Sequence, residues 1–280
     1  MKSDNLRDLC VSRTNLDWGI DSPIDKDFKI YVWFDALINY LSGAEGNWPA
    51  DVHVIGKGIN WFHSVIWPAM LMSAEIELPK KLLVHGYVTL GDKKISKSLG
   101  NVIDPIELAE KYGSDAVRYS LLRGSVFEDF DFSEKILIER NNNELANKLG
   151  NLVSRVSGLA EKNGLEKCDN KLLKKLKLKE IVKLIDKFEL DKALNEIFSF
   201  IDVCNEYVTS KKPWETKDQK VLYELVDSIK AIGILLWPFI PETSEKIAKQ
   251  LGFKIDFKEI EKPIKISKIN KGEHLFKKIG

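Results

Sequence analysis

Residues 91–101 (GDKKISKSLGN) concentrate more reactive groups than any other stretch of this sequence. Lys94 and Lys97 stand three apart, separated by Ile95 and Ser96, with Gly91 and Gly100 bracketing the segment. Two ammonium groups and two hydroxyls, from Ser96 and Ser98, can hold a chain of phosphates when a flexible loop presents them. Such cations would matter most in a reaction that builds negative charge on a departing pyrophosphate. A solvated lysine–serine turn has the same composition, so the segment taken alone leaves both readings open.

Several elements must position that loop. Residues 29–34 (KIYVWF), 52–55 (VHVI) and 82–88 (LLVHGYV) are rich in β-branched and aromatic residues and read as buried strands, the third leading directly into the loop. Between the second and third, residues 59–74 place Ile59, Phe62, Val65, Ile66 and Met70 near helical spacing, with Pro68 expected to interrupt or kink the helix. Strand, helix, strand over this length is a right-handed crossover within a parallel α/β sheet. The carboxyl end of a parallel strand is where such sheets bind nucleotides. Three strands are fewer than the roughly five or six of a doubly wound nucleotide fold, so the sheet reads as partial.

Past Asp131 the pattern becomes helical. Leu145, Leu149, Leu152, Val153 and Val156 form one stripe within 144–159, and Leu190, Leu194, Ile197, Phe198, Ile201 and Cys204 form another within 190–208. A third runs from Leu222 to Ile232 and ends at Pro238. Amphipathic helices with short polar joints make an antiparallel bundle. Trp237, in LLWPFIP, reads as core, and the Lys/Glu/Ile-rich tail from Lys254 is expected to wrap back over the rest.

The bulk numbers narrow the options. A chain of 280 residues, 44% hydrophobic, can bury a sizeable core in two or three units. Its 43 basic and 42 acidic residues argue against a protein that coats a polyanion, so nucleic-acid contact must be local. The lysine-rich stretches 167–183 and 262–278 are two such local patches, for each of which a solvated face is the favoured reading over nucleic-acid contact. Cys10, Cys168 and Cys204 are scattered with no C-x-x-C pair, which leaves no structural zinc site of usual spacing, assigns no metal ligands and suits a reducing compartment. Neither a membrane-length apolar run nor a signal-peptide core is found, so a cytoplasmic protein with no membrane partner is expected.

The segment Lys94–Ser98 (KISKS) resembles the lysine–serine signature loop of class I aminoacyl-tRNA synthetases, usually written KMSKS. Over nearly the whole chain the sequence resembles one branch, the methionyl-tRNA synthetase family, in its C-terminal portion. The resemblance rests on residues 31–40 (YVWFDALINY), 55–71 (IGKGINWFHSVIWPAML), 84–105 (VHGYVTLGDKKISKSLGNVIDP), 113–123 (GSDAVRYSLLR) and 211–214 (KKPW), in that order. It implies an α/β plus all-α chain. Residues 1–90 would be the C-terminal half of a Rossmann-type catalytic domain, 91–133 the KISKS loop with a stem-contact segment, and 134–280 an anticodon-binding helical bundle with its tail.

The same resemblance implies roles for individual residues. Lys97 would bind the triphosphate of ATP and stabilise pyrophosphate, supported by Lys94 and Ser96, with His85 and Gly56 also at the ATP site. Ile95 replaces the usual Met, a volume-conserving change. Trp33, Ala36, Leu37, Tyr40, Ile59, Phe62, His63 and Trp67 match the positions lining a methionine side-chain pocket. There a polarisable thioether would meet aromatic edges and accept a weak hydrogen bond from Tyr or His. Without the family register, sheet–helix core is the favoured reading of Trp33 and Phe62. Asn151, Arg155 and Trp214 match positions that read the CAU anticodon, by base-edge hydrogen bonds and by stacking. Gly58 stands where family members commonly carry an Asp on the adenosine ribose, which puts that contact in doubt.

ATP with Mg2+, L-methionine and tRNA(Met) are therefore the implied ligands. The family's HIGH signature and zinc-bearing knuckle do not occur in the sequence. The chain thus reads as catalytically incomplete, requiring a missing N-terminal half that is either truncated away or a separate chain. A non-catalytic tRNA-binding fragment or paralogue is the alternative, and a class I synthetase for another apolar amino acid is a weaker one.

Overall fold

The computed structural model describes residues 8–91, 93–95, 103–265 and 269–280. Residues up to His85 form one compact unit and those from Gly86 a second.

In the first unit, β1 (Ser12–Arg13) pairs antiparallel with β2 (Lys29–Ile30), and helix α1 (Val32–Ser42) follows at once. The expected strand over 29–34 therefore ends at Ile30. Trp33, Leu37 and Tyr40 continue a helical stripe past the window that looked like a strand, and burial of Leu37 against Trp67 and Leu71 decides the matter. Strand β3 (His53–Gly56) pairs in parallel with β4 (Leu82–His85), in the register His53 to Leu82 and Gly56 to His85. Between them the chain makes a short turn at Lys57–Ile59, a wide helical turn at Phe62–Ile66, and α2 (Trp67–Ser73). Pro68 explains the wide turn. Its ring would clash with the carbonyl four residues back, and widening the preceding turn so that Trp67 N–H reaches Phe62 O moves that carbonyl aside.

The second unit starts by dividing what reads as one strand over 82–88. After β4, Gly86 lies so close to the Glu128 carbonyl that a Cβ there would stand 2.1 Å from its oxygen. Strand β5 (Val88–Leu90) then belongs to a different sheet, between β6 (Lys93–Lys94) and β7 (Phe130–Asp131). Helices α3 (Pro105–Tyr112) and α4 (Ser114–Leu122) lie between β6 and β7 in sequence, Asp104 capping the first through Ile106 N at 2.7 Å.

From β7 onward the chain is helical. Helix α5 (Glu134–Arg140) runs through a wide segment, Asn141–Gly150, into α6 (Asn151–Asn163) as one continuous rod. Then come α7 (Leu178–Asp186), α8 (Leu190–Lys211), the single turn α9 (Pro213–Thr216), α10 (Gln219–Leu236) and α11 (Pro241–Leu251). Leu145, Leu149, Leu152 and Val156 meet Ile197, Ile201, Leu225, Ile229 and Ile232 in one dry core, so the three stripes read from the sequence are the packed faces. Helix α10 packs against α6, α8 and α11 and is buried all round from Val221 to Leu236, Glu224, Asp227 and Lys230 included. Trp237 departs from expectation. It is exposed, because the chain turns at Pro238 and sends Phe239 and Ile240 inward instead. The tail does wrap back, burying Ile264 and Ile269 and exchanging two hydrogen bonds between Asn142 and Ile279. Among the described residues no helix is long and apolar enough to cross a membrane.

Candidate functional site

The first unit gathers an aromatic cluster at the junction of α1, β3 and the wide turn before α2. Trp33 stacks on Phe62 with ring centres 4.7 Å apart and planes 12° from parallel. His63, only 3% exposed, meets Trp33 edge-on at 6.1 Å and Tyr40 at 5.6 Å. Tyr40 also tilts against Trp67 at 6.0 Å. Leu37 packs in the same cluster, and Ile59 enters through its carbonyl; Ala36 is exposed on α1. Most of the expected methionine-pocket residues are thus brought together.

The hydrogen bonds refine the chemistry of that cluster. His63 Nδ1 lies 3.0 Å from the Ile59 carbonyl, which can only accept, so Nδ1 carries a proton. Nε2 lies 2.8 Å from the Tyr40 hydroxyl, which in the neutral ring is the donor. Both protons are then committed within the protein, and a thioether would meet ring faces and edges instead of a free Tyr or His donor. The indole N–H of Trp67 is buried and, among the described residues, unpartnered.

Sequence reading missed His53 and Trp48. His53 is buried in β3, edge-on to Tyr40 at 4.5 Å and to Trp48 at 5.8 Å. The available signal was the alternation in residues 53–56, which sends His53 and Ile55 inward together. Burial, and secondarily the neighbouring His63, pushes the His53 pKa below its ordinary 6.5. Folded His53 therefore stays neutral at pH values where the unfolded chain's imidazole gains a proton. Its stabilising contribution is complete above pH 6.5 and is lost as pH falls from there through the lowered value. Urea unfolding followed by tryptophan fluorescence should give a lower midpoint in mild acid than at neutral pH, and His53→Gln should flatten that dependence. An identical slope in wild type and variant would count against this assignment.

Gly56 and His85 face each other across the carboxyl ends of the parallel pair, where a Cβ on Gly56 would lie 3.6 Å from the His85 ring. The backbone of Gly56 is extended, so the strand-to-helix turn does not itself need glycine. Gly58 is exposed in the turn that follows. In the second unit, Gly91 turns β5 into β6 with φ of 56°, a conformation that favours glycine. Lys94 closes that hairpin opposite Thr89. Ser96 and Lys97 lie outside the described residues.

Also in the second unit, Asn151 and Arg155 are exposed one turn apart on α6, opposite the buried Leu152, Val153 and Val156. Trp214, from α9, comes to the same place with the Arg155 guanidinium 5.6 Å from its ring centre. The turn that carries it is bracketed by Lys212 and Lys217, both in the left-handed region at φ 47° and 53°. Trp214 is thereby held 43% exposed instead of packed at the bundle end. The three residues line one groove of about 770 Å³ with Ser154, Gly158, Leu159, Glu161 and Lys271.

Comparison with known proteins bears on both halves. The family described as tRNA synthetases class I (M) matches residues 1–157, and the anticodon-binding domain of tRNA ligase matches residues 169–276. The methionine–tRNA ligase of Caldanaerobacter subterraneus subsp. tengcongensis is 40% identical over 98% of this chain and 48% of its own length. That of Rickettsia conorii is 41% identical over 97% of this chain and 56% of its own. The structure of Mycobacterium tuberculosis methionyl-tRNA synthetase in complex with methionyl-adenylate superposes with a TM-score of 0.89 and 34% identity, covering 97% of this chain and 60% of that one. The chain spans about half the length of the curated relatives it matches. Matched by the class I family over more than half of its residues, and by methionine–tRNA ligases along nearly all of them, the chain belongs to the class I tRNA synthetases, in their methionine branch.

Proposed function

We propose that this chain supplies the methionine pocket, the lysine loop and the anticodon-reading face of a cytoplasmic methionine–tRNA ligase. The observation that carries the reading is the groove that unites Asn151, Arg155 and Trp214 from elements sixty residues apart in sequence. An exposed indole beside a guanidinium and an amide is suited to splayed RNA bases, by stacking and base-edge hydrogen bonds. Residues 1–90 act as catalytic-domain portion, 91–133 as loop and stem-contact segment, and 134–280 as anticodon-binding bundle with tail.

In the reaction, the methionine carboxylate attacks the α-phosphate of ATP, brought with Mg2+, and pyrophosphate leaves. A ribose hydroxyl of the terminal tRNA adenosine then takes the methionyl group and AMP departs. Trp33, Ala36, Leu37, Tyr40, Ile59, Phe62, His63 and Trp67 hold the side chain, Gly56 and His85 approach the nucleotide, and Lys97 neutralises the phosphates, supported by the Lys94 ammonium and a hydrogen bond from the Ser96 hydroxyl.

Full activity requires the remainder of the relatives' length, in cis or as a second chain. The chain by itself is expected to show no methionine-dependent ATP–pyrophosphate exchange, and appreciable exchange would overturn the claim of incompleteness. In the completed enzyme, Trp214→Ala should lower charging of tRNA(Met) about 5- to 150-fold, as loss of one base stack implies. Exchange should stay intact. Equal loss in both assays would make Trp214 a structural residue.

A further inference from the structure

One more side chain reaches the groove, from the far end of the sequence. The tail is tethered across the bundle on both sides of Lys271. Asn270 N–H donates to the Gln250 carbonyl at 3.0 Å, Gln250 Nε2 donates to the Glu273 carbonyl at 3.0 Å, and Asn142 holds Ile279. Lys271 itself is fastened to α6. Its carbonyl accepts from the buried Ser157 hydroxyl at 3.4 Å, and its N–H donates to Glu161 at 3.4 Å.

Its side chain then lies along the helix over Gly158. A Cβ at that position would stand 3.3 Å from Lys271 Cδ and 3.7 Å from Cγ and Cε. Gly158 is in ordinary helix, so no backbone conformation calls for glycine there. What the missing side chain provides is a bed for the lysine stem, about one turn beyond Arg155 on the groove side of α6. Among the described residues the Lys271 ammonium makes no ion pair, and the Glu161 carboxylate beside it is engaged with the Lys271 amide. An exposed ammonium on a tethered backbone, bordering a groove with an indole and a guanidinium, is placed to meet an RNA backbone.

We propose that Lys271 is a phosphate-contacting residue of this groove, neutralising the backbone of the same RNA strand whose bases face Asn151, Arg155 and Trp214, and that Gly158 positions it. This rests on the anticodon reading of the groove and adds a contact of a different kind. Phosphate contacts fix register and are indifferent to sequence, whereas base-edge hydrogen bonds from Asn151 and Arg155 would discriminate among bases.

The test is binding of the full chain to two RNA hairpins, one carrying the CAU anticodon and one with those bases changed, over about 50 to 200 mM salt. Lys271→Met, which keeps most of the apolar stem, should weaken both complexes by the same factor of several-fold. It should also lower the steepness of log affinity against log salt by about 0.7, as expected when one single-strand phosphate contact is lost. Lys271→Arg should restore both, and Gly158→Leu should reproduce the Lys271→Met result. Trp214→Ala should weaken both complexes but leave the salt slope alone, and Asn151→Ala should weaken the CAU complex selectively. If the wild type prefers the CAU hairpin and Lys271→Met changes neither affinity nor slope, the lysine contact is overturned and the groove reading stands. If the wild type binds both hairpins equally but loses slope in Lys271→Met, the contact stands and the anticodon reading falls.

Discussion

Asp227→Ala is expected to destabilise the helical unit by about 3–5 kcal/mol, the cost of leaving a buried charge without its partner. Asp227 and Lys230, one turn apart on α10, are 2% and 3% exposed and form an ion pair at 3.1 Å. The carboxylate also accepts from Ile264 N at 2.8 Å and from Asn170 Nδ2 at 2.9 Å, while Lys230 donates to the Lys262 carbonyl. One buried group thus ties the central helix to the segment before α7 and to the returning tail. Removing the carboxylate strands an ammonium in the core and frees two donors. The melting temperature of the unit should fall by about 6 to 20 °C. Asp227→Leu combined with Lys230→Met, which removes both charges, should recover part of the loss. A single variant within about 0.5 kcal/mol of wild type, the range of ordinary surface changes, would show that the pair does not anchor the tail.

Lys97→Ala carries the largest expected effect on chemistry. In the completed enzyme it should slow methionine-dependent ATP–pyrophosphate exchange about 10²- to 10³-fold, the usual result of removing one preorganised group from a developing negative charge. Affinity for tRNA(Met) should be unchanged, because the anticodon groove is built from α6, α9 and the tail. An unaltered exchange rate would remove Lys97 from the mechanism. The hairpin from Thr89 to Lys94, turned at Gly91, is the described part of the scaffold that leads the chain into this loop.

How far the sequence could be read depended on the range of the interaction that decides each element. The helical stripes were legible because Leu145, Leu149, Leu152 and Val156 repeat at the helix period and bury where that period says they should. Residues 31–34 were misread as strand because their type suits either structure, and contacts of Leu37 with Trp67 and Leu71, thirty residues away, make the choice. The break after β4 depends on the approach of Gly86 to Glu128, which no local pattern announces. Trp237 was misplaced for the same reason, since its apolar neighbours Phe239 and Ile240 take the interior and leave it outside.

The candidate sites divide along similar lines. Motif resemblance named Trp33, Phe62 and His63 together, and Trp33 does stack on Phe62 with His63 edge-on, but it could not reveal that the Tyr40 proton is already committed to His63 and the His63 proton to Ile59. His53 escaped notice because one histidine in an apolar strand has no spacing partner to mark it. Lys271 was read with its lysine-rich stretch as a solvated face, because its place over Gly158 is set by the path of the tail, more than a hundred residues further along the chain.

The most direct test of the central claim is equilibrium binding of this chain to a tRNA(Met) transcript and to the same transcript with only its anticodon altered. The account predicts a preference of about 5- to 150-fold for the CAU form, since one good base-edge contact from Asn151 or Arg155 contributes roughly 1–3 kcal/mol of discrimination. Asn151→Ala should reduce that preference, and Trp214→Ala should weaken both complexes. Equal affinity for the two transcripts, with Trp214→Ala indistinguishable from wild type, would contradict it.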